Sequence, residues 1–292
     1  MEYLNHVITK AQSNMSVKQI IKKEFSVSEG HLRRIKLLPN GILRDGEKVF
    51  VTQLVKEGQL LQCLVSDTKE SRILPCDISL DVLFEDEHLL VINKSAPLPT
   101  HPSSFSPDEP SVAGAFAARY PQSVFHPVNR LDTGTTGAMV IAKNGHVHQL
   151  LSARLHSDSF KRDYIAVVVG TPVQLCGRLD FRIGRCNDSI IKRTVCDDGK
   201  DAVTYYETLK SYGGFSLVKL LPLTGRTHQL RVHMAHIGCP LAGDFLYGTE
   251  DKELIKRPAL HSHSLWMIHP VTKEEVFVTA PLPEDMKRII SL

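Results

Sequence analysis

His126-Pro-Val-Asn-Arg-Leu-Asp-Thr-Gly-Thr-Thr-Gly-Ala-Met-Val-Ile-Ala-Lys143 sets one carboxylate, Asp132, directly after Arg130-Leu131. A short polar loop, Thr133-Gly-Thr-Thr-Gly137, follows, and then the apolar run 138–142. Gly134 and Gly137 let the backbone turn tightly or come close to a ligand. The apolar run is too short for a helix and reads as a buried strand. A single acid is thus presented from a polar turn, with a cation beside it and a strand behind it. Taken alone, the stretch reads more simply as a surface turn with an Arg–Asp ion pair, so its meaning rests on the chain around it.

Upstream, Asp81-Val-Leu-Phe-Glu-Asp-Glu-His-Leu-Leu-Val-Ile-Asn-Lys94 places two apolar runs around an acidic turn, the pattern of a hairpin. Pro97, Pro99, Pro102, Pro107 and Pro110 mark a long loop ending in a helical stretch at 112–119. Downstream, Val147, Leu150, Leu151 and Leu155 recur at helical spacing. Residues 161–170 read as a strand with a basic start, and strand-like runs recur at 205–209, 215–220, 265–268 and 275–278. The balance is α+β: a mixed, mostly antiparallel sheet with a few helices, not regular βαβ alternation.

The first residues read as a small module of their own. Ser16 can cap a helix with Val17, Ile20, Ile21 and Phe25 on one face. Ser28 can cap a second, with Leu32 and Ile35 inward and His31, Arg33, Arg34 and Lys36 mostly outward. Asp45-Gly46 suits a hairpin turn, and 49–51 and 60–65 read as strands. The segment 68–79, with Pro75, is the linker candidate, which leaves a module at 1–67 and a larger domain at 80–292.

At 292 residues, 42% hydrophobic and 23% charged, the chain has the profile of a soluble globular protein. No apolar stretch reaches the ~18 residues a membrane helix needs, and the N-terminus lacks a basic-then-apolar leader. Six scattered cysteines without a Cys-x-x-Cys pair argue against a zinc ribbon or disulfide scaffold and suit the cytoplasm. A formal net charge of +3 permits a nucleic-acid partner without requiring one.

The densest polar stretch is Leu223-Thr-Gly-Arg-Thr-His-Gln-Leu-Arg-Val-His-Met-Ala-His-Ile-Gly-Cys-Pro-Leu-Ala-Gly-Asp-Phe-Leu-Tyr-Gly248. Leu230, Met234 and Ile237 share one helical face, with Arg226, His228 and Arg231 elsewhere. His228, His233 and His236 admit a metal reading, since the last two stand one helical turn apart. No Glu completes a His-Glu-x-x-His arrangement, so these histidines read as packing or RNA-contacting groups, with no metal.

On these blocks the chain resembles the RluA family of RNA pseudouridine synthases. The matching stretches occur in the family's order. They are Glu85-Asp-Glu-His-Leu-Leu-Val-Ile-Asn-Lys94, Asn129-Arg-Leu-Asp-Thr-Gly-Thr-Thr-Gly137, residues 161–170, and Thr224-Gly-Arg-Thr-His-Gln-Leu-Arg-Val-His233 with Gly243-Asp-Phe-Leu-Tyr-Gly248. Residues 260–270 and Ala280-Pro-Leu-Pro-Glu-Asp-Met286 complete the set. Residues 13–67 resemble the alpha-L RNA-binding module of a small-subunit ribosomal protein, a common attachment in this family.

The resemblance implies an isomerase that turns uridines of structured RNA into pseudouridine, ribosomal RNA favoured over transfer RNA, as a monomer without cofactor or metal. That reaction breaks a C–N glycosidic bond, rotates the uracil and rebonds it through carbon. It needs one carboxylate to attack the ribose or take a proton from it, and Asp132 matches the family's catalytic aspartate. Arg231 matches its partner arginine; at ~4 Å such a pair is worth about 4 kcal/mol at an effective dielectric of about 20, enough to keep the acid ionised. Tyr164 matches the stacking tyrosine, its hydroxyl also placed for proton work, and Leu260 the apolar residue on the base's other face. Arg130 is expected near the target phosphate or in the space left by the flipped nucleotide. Lys161, Arg162, Arg226 and His228 are expected to bind the RNA, the first three through backbone charge.

Asn129 stands where many members have His, Thr136 where they have Ser, and Lys94-Ser95 with Pro97 where Lys-Pro and Gly are usual. The alternative is a non-catalytic RNA-binding or ribosome-assembly protein on the same scaffold, which would bind RNA without changing it. A hydrolase of N-glycosidic bonds would share the acid and release free uracil.

Overall fold

The computed structural model describes residues 3–65, 73–103, 105–186, 189 and 191–291. Strand β1 (Tyr3–Val7) precedes helices α1 (Val17–Glu24) and α2 (Glu29–Ile35), then strands β2 (Ile42–Arg44), β3 (Glu47–Lys48) and β4 (Leu60–Leu64). These strands form an antiparallel sheet of their own in the order β1-β4-β2-β3. Ser16 and Ser28 cap the helices, each side-chain oxygen accepting from a backbone N–H three residues on. Val17, Ile20, Ile21, Leu32 and Ile35 fill a core with Leu61 and Cys63. Asp45 and Gly46 both take positive φ, as a type I′ hairpin turn requires.

His31 is buried rather than outward, because its Nε2 lies 2.8 Å from the Leu64 carbonyl and so has a polar partner inside the core. Residues 49–51 do not form a strand. The carbonyls of Val51 and Gln53 instead accept from Lys18 and Val17, free N–H groups of the first turn of α1. Gln149 ties this unit to the remainder: its Oε1 accepts from Ser28 N and its Nε2 donates to Ser26 O, both at 2.9 Å. The expected linker at 68–79 falls partly outside the described residues.

The remaining strands are β5 (Val82–Glu85), β6 (Leu89–Lys94), β7 (His126–Pro127), β8 (Thr136–Ala142), β9 (Phe160–Val169) and β10 (Cys176–Asp180). They continue with β11 (Ile183–Arg185), β12 (Arg193–Val195), β13 (Val203–Tyr212), β14 (Phe215–Pro222), β15 (Leu260–Ile268) and β16 (Glu275–Thr279). All but the separate β11–β12 hairpin join a 10-stranded sheet ordered β10-β13-β14-β9-β15-β8-β6-β5, with β16 on β15 and β7 on β8. Every pairing in it is antiparallel except β15 with β8. The mixed, mostly antiparallel α+β architecture is therefore the observed one. Helices α3 (Val112–Arg119), α4 (Gly145–Ser152), α5 (Gln229–His236) and α6 (Glu284–Ser291) complete the chain. Among the described residues no helix is long and apolar enough to cross a membrane.

Strands β6 and β8 explain their unbroken apolar runs. Leu90, Ile92, Met139 and Ile141 pack into one core, while Leu89, Val91, Ala138 and Val140 pack into another on the opposite face. Gly137 has φ +106, and a Cβ there would stand 2.2 Å from the Ser262 carbonyl. Only glycine permits that approach, which serves the parallel β8–β15 contact rather than a ligand. The contact brings the loop before β8 beside the start of β15.

Candidate active site

The loop between β7 and β8, the start of β9, the loop into α5 and the start of β15 converge on a cavity of about 340 Å³. Asp132, Arg162, Tyr164, His228, Arg231 and Leu260 line it. The Asp132 turn is closed by Thr135 N donating to the Asp132 carbonyl at 2.9 Å, and the Asp132 side chain is 39% exposed. Leu260 lines the same cavity and is buried.

Arg162 and Tyr164 are alternate residues of β9 and share the cavity face. The same alternation turns Lys161 to the other face, where its ammonium lies 5.5 Å from the centre of the Trp266 ring, so Lys161 does not belong to the cluster. Arg130 stands exposed at the rim. Arg226 contributes another wall and donates from Nε to the Asp201 carbonyl at 2.9 Å. Burial pushes the Tyr164 phenol above its ordinary pKa, so it stays protonated at neutral pH.

His228 adopts a left-handed conformation just before α5. Its Nδ1 lies 2.8 Å from the Tyr247 hydroxyl, and that oxygen accepts from Arg193 N at 2.9 Å. The other ring nitrogen, Nε2, lies 3.9 Å from an Asp132 oxygen. Burial lowers the His228 pKa even though Asp132 pulls it the other way.

Arg231 is held first by Asp244, not by Asp132. Its Nε and Nη2 reach the two Asp244 oxygens at 2.7 and 2.6 Å, and Asp244 is completely buried. Asp244 also accepts from Leu246 N and Tyr247 N. Nη1 remains to face Asp132 at 3.9 Å. Against the effect of burial, the hydrogen bonds to Asp244 push the Arg231 pKa up. The result is a rigid cation aimed at an accessible carboxylate.

Sequence reasoning missed Asp244, Lys94, Arg257 and His156. Asp244 stood in a quoted block as a lone acid among glycine and aromatic residues. Lys94 ends an apolar strand, is 1% exposed, and donates to the carbonyls of Ser95, Leu98 and Thr133 at 2.9, 2.7 and 3.3 Å. Its burial lowers its pKa to about 7. His156 lines the cavity near Arg162 and Arg226, and burial lowers its pKa too. Two of the three departures keep structural hydrogen bonds: Asn129 Oδ1 accepts from Val140 N at 2.8 Å, and Thr136 Oγ1 lies 2.9 Å from His261 Nδ1.

The histidines weighed as metal ligands are dispersed. His233 bonds Thr204 Oγ1 and the Phe181 carbonyl, and His236 packs 4.5 Å from the Phe181 ring centre. Among the described residues no three ligating side chains converge.

Residues 88–236 match the family described as RNA pseudouridylate synthase. The uncharacterized RNA pseudouridine synthase YjbO of Bacillus subtilis is 41% identical over 272 residues, 91% of this chain and 95% of that protein. The ribosomal large subunit pseudouridine synthase D of Xanthomonas campestris is 38% identical over 266 residues, 85% of this chain and 80% of that protein. Among solved structures, human RNA pseudouridylate synthase domain containing 4 aligns over 72% of this chain and 92% of its own, with TM-score 0.60 and 26% identity.

Proposed function

Since this chain belongs to the RNA pseudouridylate synthase family and is an RNA-modifying isomerase, we propose that Asp132 is its catalytic carboxylate and ribosomal RNA its substrate. The observation that carries the reading is one accessible acid, Asp132, 3.9 Å from a cation already fixed by Asp244, inside a cavity walled by Tyr164 and Leu260.

In this scheme a uridine leaves its stack and enters the cavity, at a cost of a few kcal/mol. The uracil lies between the Tyr164 ring and Leu260. Asp132 attacks the ribose or removes a proton from it, and the C–N bond to the base breaks. Arg231 offsets the charge on Asp132 as it changes. The base turns and its carbon bonds to the same sugar carbon as the Asp132–sugar bond breaks, or as Asp132 returns the proton it took from the ribose. The hydrogen on the base carbon then leaves as a proton while nitrogen gains one, and Asp132 is regenerated as a carboxylate. Atoms and electrons balance without an oxidant, so the reaction calls for no redox cofactor. Arg130, Arg162, Arg226 and His228 hold the RNA around the flipped nucleotide.

Relatives named ribosomal large subunit pseudouridine synthase D support the choice of substrate. We assign residues 1–67 as an alpha-L RNA-binding module and 80–292 as the catalytic domain; the separate core and the basic Arg33, Arg34 and Lys36 support the first.

Mapping pseudouridine in total RNA, from cells with and without the gene, tests the reading. A ribosomal site lost on deletion and restored by the wild-type protein is the expected result. An unchanged ribosomal map with a lost transfer RNA site would correct the substrate, and no change anywhere would favour a binding protein. Tyr164→Phe is expected to keep RNA affinity and lower the single-turnover rate ~100-fold, within the range for a positioned proton donor. An unchanged rate would leave ring packing as the whole role of Tyr164.

A further inference from the structure

Arg257 joins two walls of the cleft without entering it. Its Nε and Nη2 donate to the two oxygens of Asp285, both at 2.8 Å. Its Nη1 reaches the carbonyls of Gly134, Pro258 and Leu260 at 3.2, 3.1 and 3.1 Å. Gly134 belongs to the Asp132 turn, and Leu260 is the apolar wall of the cavity. One nitrogen therefore ties together backbone positions 126 residues apart, 134 and 260.

We propose that Arg257, oriented by Asp285 of α6, is a positioning residue that sets the Asp132 turn against Leu260. The inference rests on the reading of Asp132 as the catalytic acid. A guanidinium suits the task because its planar fork, once locked on a carboxylate, leaves a third nitrogen in a fixed direction; an ammonium has no such plane. Arg257 is 9% exposed, so its orientation is also fixed by packing. A Cβ on Gly134 would already stand 3.0 Å from the Pro258 ring, so the turn and the Arg257-Pro258 segment are in close apposition. Lys94 donates to the neighbouring Thr133 carbonyl, which leaves both carbonyls after Asp132 held by buried side-chain donors.

Helix α6 supplies the anchor. Met286 and Ile289 pack with Ile165 and Val167 of β9, the strand that carries Tyr164. Helix α6 therefore braces the Asp132 turn, Leu260 and the Tyr164 strand together. Asp285 itself lies in the first turn of α6 with 41% of its side chain exposed, so its substitution leaves no buried charge of its own.

Asp285→Asn, Arg257→Lys, Asp132→Asn and wild type would be compared in single-turnover assays on an RNA carrying the mapped site. Melting curves and RNA affinity would be measured alongside. Because a misplacement of about 1 Å costs about 100-fold, Arg257→Lys is expected to lose roughly that much rate, and Asp285→Asn about tenfold. RNA affinity should stay within about threefold of wild type in both, and Asp285→Glu should recover part of the rate. A purely structural role would move the melting temperature and leave the saturated rate of the folded enzyme alone. Folded Asp285→Asn and Arg257→Lys proteins reacting within about twofold of wild type would overturn the proposal, as would a loss confined to RNA affinity. Activity in Asp132→Asn would instead overturn the assignment of the acid, independently of Arg257.

Discussion

Asp132→Asn is expected to reduce uridine conversion by at least about 10⁴-fold while RNA affinity stays within about threefold, the pattern for loss of a group used only in the chemical step. The substitution is nearly isosteric, and the turn that carries it is closed through the backbone carbonyl, which asparagine retains. With 39% of the side chain exposed, the amide needs no new buried partner. The RNA contacts assigned to Arg130, Arg162 and Arg226 are left in place, and one negative charge is removed from a cavity that must admit a polyanion. Binding should therefore hold or tighten slightly. What disappears is the one carboxylate among the described residues that line the cavity, with Arg231 beside it. The readout is pseudouridine formed in a single turnover, with the variant purified from cells lacking the wild-type gene. Conversion above about 1% of wild type would remove Asp132 from the mechanism.

The fold was legible wherever local pattern and tertiary environment agreed. Ser16 and Ser28 capped the helices expected of them, and the runs at 89–93 and 138–142 became strands buried on both faces. Residues 49–51 had the same apolar look, but their neighbouring carbonyls were needed by the open first turn of α1, a demand written elsewhere in the chain. His31 was misjudged because polarity argued for the surface, while a single backbone carbonyl at the right distance admits an imidazole to the core. Lys161 could have been separated from Arg162 and Tyr164 by strand alternation alone. In the site, Asp132, Tyr164, Arg231 and Leu260, which face the cavity, were readable from their motif, whereas His156 was not. Those that hold the site in place were not readable either: Asp244, Lys94 and Arg257 act through partners whose proximity only the folded sheet creates.

Arg231→Ala is expected to cost both stability and activity, and a second substitution separates the two. Removing the guanidinium strands Asp244, which is completely buried and keeps, among the described residues, the N–H groups of Leu246 and Tyr247 as its donors. An uncompensated buried charge of that kind costs about 3–5 kcal/mol, enough to move a urea midpoint plainly. Combining Arg231→Met with Asp244→Leu removes both charges and fills the space with apolar atoms, so most of the lost stability should return. Activity should not return with it. The Asp132–Arg231 attraction at 3.9 Å is worth about 4 kcal/mol at an effective dielectric of about 20, or about 10³ in rate if all of it acts on the transition state. Urea unfolding and single-turnover rates on the same preparations supply the comparison. A double variant as active as wild type would show that Arg231 serves Asp244 alone, and that Asp132 works without a cation. A stable Arg231→Ala protein would instead mean that Asp244 finds compensation the folded chain does not display. A stable but inactive double variant assigns the two functions of Arg231 to its two partners: Asp244 for holding the helix in place, Asp132 for chemistry.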